Sequence, residues 1–497
     1  MVVKTTKGLC PECGAVLPAD IIEEDNQIWI VRTCPKHGKF KNLYWSDAEM
    51  YRRFDAYDAV GKGVENPNRQ ASTEECPLAC GLCNNHKSTT LLANVDLTNR
   101  CNLNCDFCFA NARACGYIYE PTFDEIVSML KMLRDEKPCP APAVQFSGGE
   151  PTMRDDLVEI IKTAREMGFK QIQMASNGIK LARDKKLVKD LKEAGLSTIY
   201  LHFDGVTKET NPLLNISKKV IENCSEVGQG IVLVPTVING KNDHEVGDII
   251  RFAAEHINVV RGVNFQPVAF TGAASEDDVI KERVTIPDLA KRIEEQTDGA
   301  LKKDYFYPVP CIIPVSHLVE AYTGKPQIEF TTHQHCGAAT YAFVTDDRLV
   351  AVNKLINVDE FFKVLEQMTE KLDDKKTLNK YITLVEGLKG VHSSLKNNES
   401  GKYNTVFWKM LYQALVKQDF EALKDFHWNA LFIGTMHFMD NYNYDVERVQ
   451  RCCIHYATPD GRLIPFCTYN SGPVFREEVW KKFSKPLVAQ DPLADLD

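Results

Sequence analysis

The sequence lacks long apolar runs, a signal peptide, internal repeats and an excess of positive charge. No segment of its 497 residues approaches the roughly 18 consecutive apolar residues that a membrane-spanning helix needs. The first residues, MVVKTTKGLC, contain no apolar core of the kind that directs secretion, so we expect a cytoplasmic protein. The formal net charge of −9 gives no support for a nucleic-acid partner.

Cysteine, by contrast, is abundant and unevenly distributed. The chain has 17 cysteines, and nine of them lie within the first 108 residues in three groups of three. Because no secretory signal is visible, clusters of this kind favour metal or redox sites over a disulfide framework.

Short apolar, β-branched runs alternate with amphipathic helical segments from about residue 91 to residue 270. Six such units predict an α/β fold, a partial (β/α)6 barrel whose functional residues lie at the C-terminal ends of its strands. We expect four regions: a rubredoxin-like or zinc-ribbon-like metal module at 1–45, an auxiliary cluster segment at 46–90, the barrel at 91–275 and a helix-rich C-terminal domain at 276–497.

The motif Cys101-x3-Cys105-x2-Cys108 directly follows the first predicted barrel strand. Three thiolates can ligate three irons of a [4Fe–4S] cluster, which leaves the fourth iron open to another ligand. A zinc knuckle or a purely structural cluster is the alternative interpretation. The position of the motif in a βα loop, where barrels carry their chemistry, favours a catalytic cluster.

With this motif in this position, residues 91–270 resemble the radical S-adenosylmethionine (SAM) superfamily. The resemblance implies that SAM binds at the open iron and is cleaved to a 5′-deoxyadenosyl radical, which removes a hydrogen atom from the substrate. It also implies that the turn Gly148-Gly149-Glu150-Pro151 contacts the SAM amino group, with Glu150 adding a negative charge. Polar residues at later strand ends are further candidates for binding SAM, unless they are ordinary strand-end residues: Ser176, Asn177, His202, Asp204 and Gln266.

Two more cysteine groups precede the barrel. A second CX3CX2C motif is predicted to hold an auxiliary [4Fe–4S] cluster, with zinc as the alternative, through Cys76, Cys80 and Cys83. Its fourth ligand, either His86 or a distant cysteine, stays open. Two N-terminal pairs suit one tetrahedral zinc or mononuclear iron, with a structural role favoured over electron relay, through Cys10, Cys13, Cys34 and His37.

Cysteines in the C-terminal half are dispersed but lie beside proline, glycine or histidine. We expect four of them to hold a third cluster: Cys311, Cys336, Cys467 and one of Cys452 or Cys453. The segment CCIHYATPDGRLIPFC predicts a hairpin around Pro459-Asp460-Gly461, which would bring the ends of the segment together. The expected cofactors are therefore three [4Fe–4S] clusters, SAM and one mononuclear iron or zinc.

Across nearly its whole length the chain resembles the archaeal tetraether lipid synthase family, through the segments CPECG…CPKHG, CPLACGLCNNH and RCCIHYATPDGRLIPFC. The resemblance implies coupling of the terminal methyl carbons of two phytanyl chains in an archaeal diether phospholipid. It implies Cys452 rather than Cys453 as the cluster ligand. Members of the family were also assigned to methylation of a 7,8-dihydropterin, which is the alternative function.

The lipid interpretation carries further expectations. An electron donor such as ferredoxin or flavodoxin and peripheral contact with a membrane would be needed. The apolar residues of segment 403–439 would form a lipid-binding channel, or alternatively an ordinary helical core. A non-catalytic iron–sulfur electron carrier is the third alternative, but such a protein has no use for the GGEP turn or a SAM pocket.

Overall fold

Two large sheets and one two-stranded sheet organise the described residues of the computed structural model, which are 1–70, 76–103, 105, 116–270, 276–345, 348–373, 430–471 and 475–486. Four antiparallel strands form the N-terminal sheet: β1 (Val2–Leu9), β2 (Val16–Glu24), β3 (Gln27–Cys34) and β4 (Gly38–Trp45). Asp25 and Asn26, with φ of 53° and 58°, make the two-residue turn between β2 and β3. These residue types tolerate that backbone conformation, and the turn matches the twist of a hairpin.

Six parallel strands form the barrel sheet, each lying beside the previous one in chain order. They are β5 (Leu92–Thr98), β7 (Ala143–Gly148), β8 (Gln171–Ser176), β9 (Thr198–His202), β10 (Gly230–Val234) and β12 (Val260–Pro267). The short strands β6 (Tyr117–Tyr119) and β11 (Thr236–Val237) accompany them. The predicted partial (β/α)6 barrel is thus confirmed.

Helices follow the barrel strands and cover the outside of the sheet. In chain order from the N-terminal sheet to the last barrel strand they are α1 (Ala48–Asp55), α2 (Phe123–Arg134), α3 (Leu157–Glu166), α4 (Ile179–Arg183), α5 (Lys185–Ala194), α6 (Leu214–Val227) and α7 (Val246–Glu255). A capping box between Thr122 and Glu125 starts α2, since each side chain accepts a hydrogen bond from the other's backbone N–H.

The C-terminal half adds helices and extends the same sheet. Its helices are α8 (Glu276–Glu282), α9 (Ile286–Gln296), α10 (Ile313–Thr323), α11 (Val352–Leu355), α12 (Val358–Asp373), α13 (Val446–Gln450), α14 (Phe466–Ser471) and α15 (Phe475–Lys482). Its strands are β13 (Tyr307–Pro308), β14 (Gly337–Thr345), β15 (Arg348–Ala351), β16 (Ala430–Met436), β17 (Ile454–Ala457), β18 (Leu463–Pro465) and β19 (Ser484–Pro486). β16 pairs with β12 and β17 pairs with β5, both in parallel, so the sheet continues at both edges of the barrel.

The apolar segment 403–439 gives a mixed outcome. Residues 430–436 form β16 rather than part of a helix, because the strand is buried between β12 and β14 and therefore reads as a continuous apolar run. Residues 403–429 lie outside the described part of the chain.

The predicted hairpin is confirmed, since β17 and β18 pair in antiparallel around Pro459-Asp460-Gly461. Among the described helices, none is long and apolar enough to cross a membrane.

A candidate active site inside the barrel

A cavity of about 890 Å³ lies inside the barrel. Alternate residues of the parallel strands point into it, as the two-residue period of a strand requires. Many of these inward-facing residues are polar: Asn94 and Asp96 from β5, Gln145 and Ser147 from β7, Tyr200 and His202 from β9, and Asn264 and Gln266 from β12. The interior of this barrel is therefore able to hold a ligand rich in hydrogen-bonding groups.

The first two cysteines of the predicted catalytic motif lie in the wall of this cavity. Cys101 and Cys105 both line it, whereas Cys108 is outside the described residues. The side-chain amide of Asn177 lies 3.9 Å from Cys101 Sγ and donates a hydrogen bond to Asn102 Oδ1 at 2.7 Å. Thiols at the mouth of a cavity, beside polar strand ends, are a donor set that fits a [4Fe–4S] cluster with one open iron.

The GGEP turn presses directly against the loop that carries these cysteines. The backbone N–H of Gly149 donates to Thr98 O at 2.6 Å, and that of Glu150 donates to Arg100 O at 2.8 Å. A Cβ at Gly149 would overlap the carbonyl oxygen of Arg100, so the close approach requires glycine. Gly148 and Gly149 line the cavity, and Pro151 opens a 3-10 turn behind them.

Glu150 is not among the residues that line the cavity. Its side chain is buried, with the residue 1% exposed, and both carboxylate oxygens are occupied by donors from the protein. Oε1 accepts from Thr152 Oγ1 at 2.7 Å and Ser176 Oγ at 2.9 Å, and Oε2 accepts from Asn177 N at 2.8 Å. Burial raises the pKa of this carboxyl, although its hydrogen bonds oppose the shift. Glu150 thus joins the GGEP turn to the end of β8.

The remaining strand-end candidates occupy different positions. Ser176, Asn177, His202 and Gln266 line the cavity, whereas Asp204 lies behind His202. Asp204 Oδ2 is 3.1 Å from His202 Nε2, and Asp204 Oδ1 accepts from Thr236 N at 2.9 Å. Burial lowers the pKa of His202, because it disfavours the protonated ring. The hydrogen bond and the negative charge of Asp204 together have the larger effect, so the pKa of His202 is raised. His202 can therefore present a positive charge to the cavity.

A buried ion pair in the cavity wall has no counterpart in the sequence predictions. Asp96 Oδ2 lies 3.3 Å from Arg476 Nη1, and Asp96 Oδ1 accepts from Ser147 Oγ at 2.9 Å. Burial raises the pKa of Asp96, whereas the Arg476 guanidinium lowers it. The only sequence signal was an aspartate within an apolar strand, two residues before its end, and nothing local marked Arg476.

The N-terminal sheet carries a compact group of predicted metal ligands. The ligand atoms of all four residues lie within 4.8 Å of one another: Cys10, Cys13, Cys34 and His37. His37 Nδ1 is 3.5 Å from both Cys10 Sγ and Cys34 Sγ. A backbone hydrogen bond from Lys36 is the main cause that lowers the pKa of Cys34 to about 6, which favours the thiolate that a metal binds. The donor set fits one tetrahedral zinc or iron ion.

The second CX3CX2C group adjoins His86, whose backbone N–H donates to Cys83 O at 3.0 Å. Burial is the main cause that raises the pKa values of Cys76 and Cys80, and neighbouring cysteine charges add to it. His86 Nε2 contacts Cys452 O at 2.7 Å and His455 Nε2 at 3.1 Å. Both contacts join Nε2 of the His86 imidazole to residues in or next to β17.

Three of the dispersed cysteines lie close enough for the charge of one thiol to act on the pKa of the next. Burial and the charge of Cys336 raise the pKa of Cys452, and burial and the charge of Cys452 raise that of Cys467. The buried Arg448 donates from Nε to Cys336 Sγ at 3.3 Å. Cys311 lies instead in the wall of the cavity, where Asp359 is the charged group that acts on it. Cys453 lines the cavity as well.

Comparison with known proteins identifies the chemistry of this fold. Residues 95–253 match the family model described as the radical SAM superfamily, and residues 2–46 match that described as the HMPTM N-terminal zinc ribbon domain. The chain is similar to 7,8-dihydro-6-hydroxymethylpterin dimethyltransferase of Methanocaldococcus jannaschii, with 50% identity over 97% of this chain and 96% of that protein. It is also similar to GTP 3′,8-cyclase of Aquifex aeolicus, with 29% identity over 42% of this chain and 70% of that protein.

Comparison with solved structures also matched Escherichia coli coproporphyrinogen III oxidase, a radical SAM enzyme. The match has a TM-score of 0.30 and 12% identity, and it covers 73% of this chain and 89% of that one.

These comparisons confirm a radical SAM enzyme with [4Fe–4S] and SAM as cofactors and an additional metal site in a zinc ribbon. They overturn the tetraether lipid function and the diether phospholipid substrate, because the near full-length relative acts on a pterin. The lipid-binding channel expected in segment 403–439 was inferred from that substrate, and residues 403–429 of the segment lie outside the described part of the chain.

Proposed function

This chain belongs to the family of the Methanocaldococcus jannaschii 7,8-dihydro-6-hydroxymethylpterin dimethyltransferase, and from that membership we propose that it methylates a 7,8-dihydropterin. The observation that carries the proposal is 50% identity extending over 97% of the chain, from the zinc ribbon through the barrel to the C-terminal strands. The mixed lining of the cavity, apolar with a few polar side chains, supports it, because a reduced pterin is a flat ring system that carries several hydrogen-bond donors and acceptors.

The residues that would hold the catalytic cluster are Cys101, Cys105 and Cys108. SAM would lie against Gly148 and Gly149, with Asn177, His202 and Gln266 at neighbouring strand ends. When bound, the cluster and SAM supply radical chemistry strong enough to act on an unactivated carbon. Glu150 keeps the GGEP turn and the end of β8 in fixed relation through its hydrogen bonds to Ser176 and Asn177.

We propose three further metal centres, each held by a group of cysteines, with His37 added in the first. Zinc in the ribbon would stabilise the N-terminal sheet through Cys10, Cys13, Cys34 and His37. Cys76, Cys80 and Cys83 would hold one auxiliary cluster, and Cys336, Cys452 and Cys467 would contribute to another. We also propose that the chain divides into the four regions given above, with boundaries near residues 45, 90 and 275.

The experiment is an anaerobic incubation of the reconstituted enzyme with SAM, a reductant and 7,8-dihydro-6-hydroxymethylpterin, followed by mass spectrometry. We expect products heavier than the substrate by one and two CH2 units. The matched control is the triple alanine variant of Cys101, Cys105 and Cys108, which should form neither methylated pterin nor 5′-deoxyadenosine. A wild-type enzyme that cleaves SAM but leaves the pterin unchanged would refute the assignment.

A further inference from the structure

Asp96 has one carboxylate oxygen without a hydrogen-bond donor among the described residues. Oδ1 accepts from Ser147 Oγ at 2.9 Å, but Oδ2 accepts none, although the residue is only 2% exposed. The nearest cation, Arg476 Nη1, is 3.3 Å away from Oδ2 without the geometry of a hydrogen bond. A buried acceptor left unsatisfied costs about 1–3 kcal/mol, and more when it is charged, so an oxygen that faces a cavity in this state calls for a donor from a ligand.

Arg476 is held firmly beside this oxygen. Its Nη2 donates to the Tyr456 hydroxyl at 3.3 Å and also to the side-chain oxygen of Asn470. The guanidinium lies over the rings of Tyr469 and Trp480, at 4.8 Å from each centroid. These contacts fix the planar cation, so the pair of Asp96 and Arg476 presents an acceptor and a donor in a preformed arrangement.

An aromatic wall adjoins the ion pair. The rings of Phe438 and Phe466 stack with centroids 4.0 Å apart, and Tyr456 lies 5.4 Å from Phe466. All three side chains line the cavity, as do Asp96 and Arg476. A flat apolar surface next to a paired acceptor and donor is suited to a planar heteroaromatic ring with a polar edge.

We propose that Asp96 recognises the 2-amino edge of the pterin ring, an inference that rests on the proposed function and names the residue responsible for its specificity. The 2-amino group and the N3–H of a pterin are adjacent parallel donors, which a carboxylate accepts as it accepts the two N–H groups of arginine. The neighbouring 4-oxo group is an acceptor for which Arg476 supplies the complementary charge. The aromatic wall of Phe438, Tyr456 and Phe466 takes the face of the ring.

The test measures binding of two ligands to the iron–sulfur-loaded protein with SAM, under anaerobic conditions. One ligand is 7,8-dihydro-6-hydroxymethylpterin and the other is the same compound without its 2-amino group. Asp96→Asn keeps the shape of the side chain, and because Ser147 donates to Oδ1, the new amide would face the pterin donors. We expect the Kd of the parent pterin to rise roughly ten- to a hundred-fold, as charge-assisted hydrogen bonds are lost.

The analogue separates recognition from general damage to the cavity. The wild type should bind the analogue more weakly than the parent pterin, and Asp96→Asn should weaken the analogue far less than the parent, as in a double-mutant cycle. Glu136→Gln is the matched control, because Glu136 is also a buried carboxylate with one unsatisfied oxygen but does not line the cavity. It should leave the Kd of both ligands unchanged.

A second variant guards against misfolding. Iron content and thermal melting report whether Asp96→Asn folds, and Ser147→Ala replaces it in the same assay if it does not. Loss of the hydrogen bond from Ser147 Oγ, which orients the Asp96 carboxylate, should weaken the parent pterin by roughly two- to ten-fold and the analogue less.

The outcomes distinguish this inference from the function on which it rests. If wild type and Asp96→Asn bind the parent pterin equally, or if the variant loses affinity for SAM instead, Asp96 is not the pterin contact while the proposed function stands. If the wild type binds neither pterin, the proposed function fails and the inference fails with it.

Discussion

Replacing Glu150 should disturb the turn after β7 even when SAM is absent. Its carboxylate accepts from Thr152, Ser176 and Asn177 at 2.7–3.1 Å and is buried, so protein donors already engage both of its oxygens. Glu150→Ala leaves these donors without an acceptor, which should cost about 3–5 kcal/mol of folding free energy. Glu150→Gln keeps one oxygen as an acceptor but turns an amide toward the N–H of Asn177, and should cost about 1–3 kcal/mol.

The assay compares hydrogen–deuterium exchange with SAM binding in the same samples. Exchange should speed up in peptides covering 148–153 and 176–178 of the SAM-free protein, more in the alanine variant than in the glutamine variant. SAM affinity, measured by calorimetry, should fall in the same order because Asn177 and the turn shift together. Glu166→Gln, on an exposed helix position, is the control and should change neither quantity.

The sequence-based interpretation predicts a different pattern. If Glu150 contributed its charge to the SAM ammonium, both variants would lose SAM affinity while exchange in the SAM-free protein stayed at the wild-type rate. That result would refute the structural role argued from the four hydrogen bonds.

Three further predictions test other sites. Cys13→Ser should remove one metal ion per chain by elemental analysis and destabilise the N-terminal sheet, because metal binding and folding are coupled; full metal retention would contradict the tetrahedral site. The pKa of His202 is raised in the folded state, so the protonated histidine stabilises the fold at pH values below its ordinary pKa of about 6.5. This contribution is lost as the pH rises through the folded-state pKa. Asp204→Asn should flatten that fall in melting temperature above about pH 6.5, and an unchanged profile would contradict the pairing. Cys336→Ala should lose cluster iron whereas Cys311→Ala keeps it, and equal iron loss by Mössbauer spectroscopy would return Cys311 to the ligand set.

The barrel could be predicted from the sequence because its local signals agree with its tertiary structure. Parallel strands buried on both faces read as apolar runs, and helices such as α5 have recognisable ends. Asp184 accepts a hydrogen bond from Leu187 N at the start of α5, and Gly195, with φ of 109°, ends it. These local signals stand at the observed ends of the helix, which runs over Lys185–Ala194.

The strands that extend the barrel could not be predicted in the same way. β14 has the sequence GAATYAFVT, whose small residues give no clear period, and β16 reads as an apolar run that suits a helix equally well. Their identity as strands depends on pairing between distant parts of the chain: β14 pairs with β16, Gly337 lying opposite Met436, and β16 pairs with β12, Gly262 lying opposite Phe432. Long-range pairing of this kind leaves little trace in a local pattern.

Two buried carboxylates near the cysteine loop show why the site was harder to predict than the fold. Sequence position alone favours Glu150 as a ligand contact, because it stands in a recognised turn, and gives no reason to choose Asp96. In the structure, both oxygens of Glu150 accept hydrogen bonds from the protein, whereas one oxygen of Asp96, at the cavity wall, has no donor among the residues that the structure describes. Since a buried carboxylate binds whichever donors reach it, the occupied one supports the backbone and the unsatisfied one is left to bind substrate.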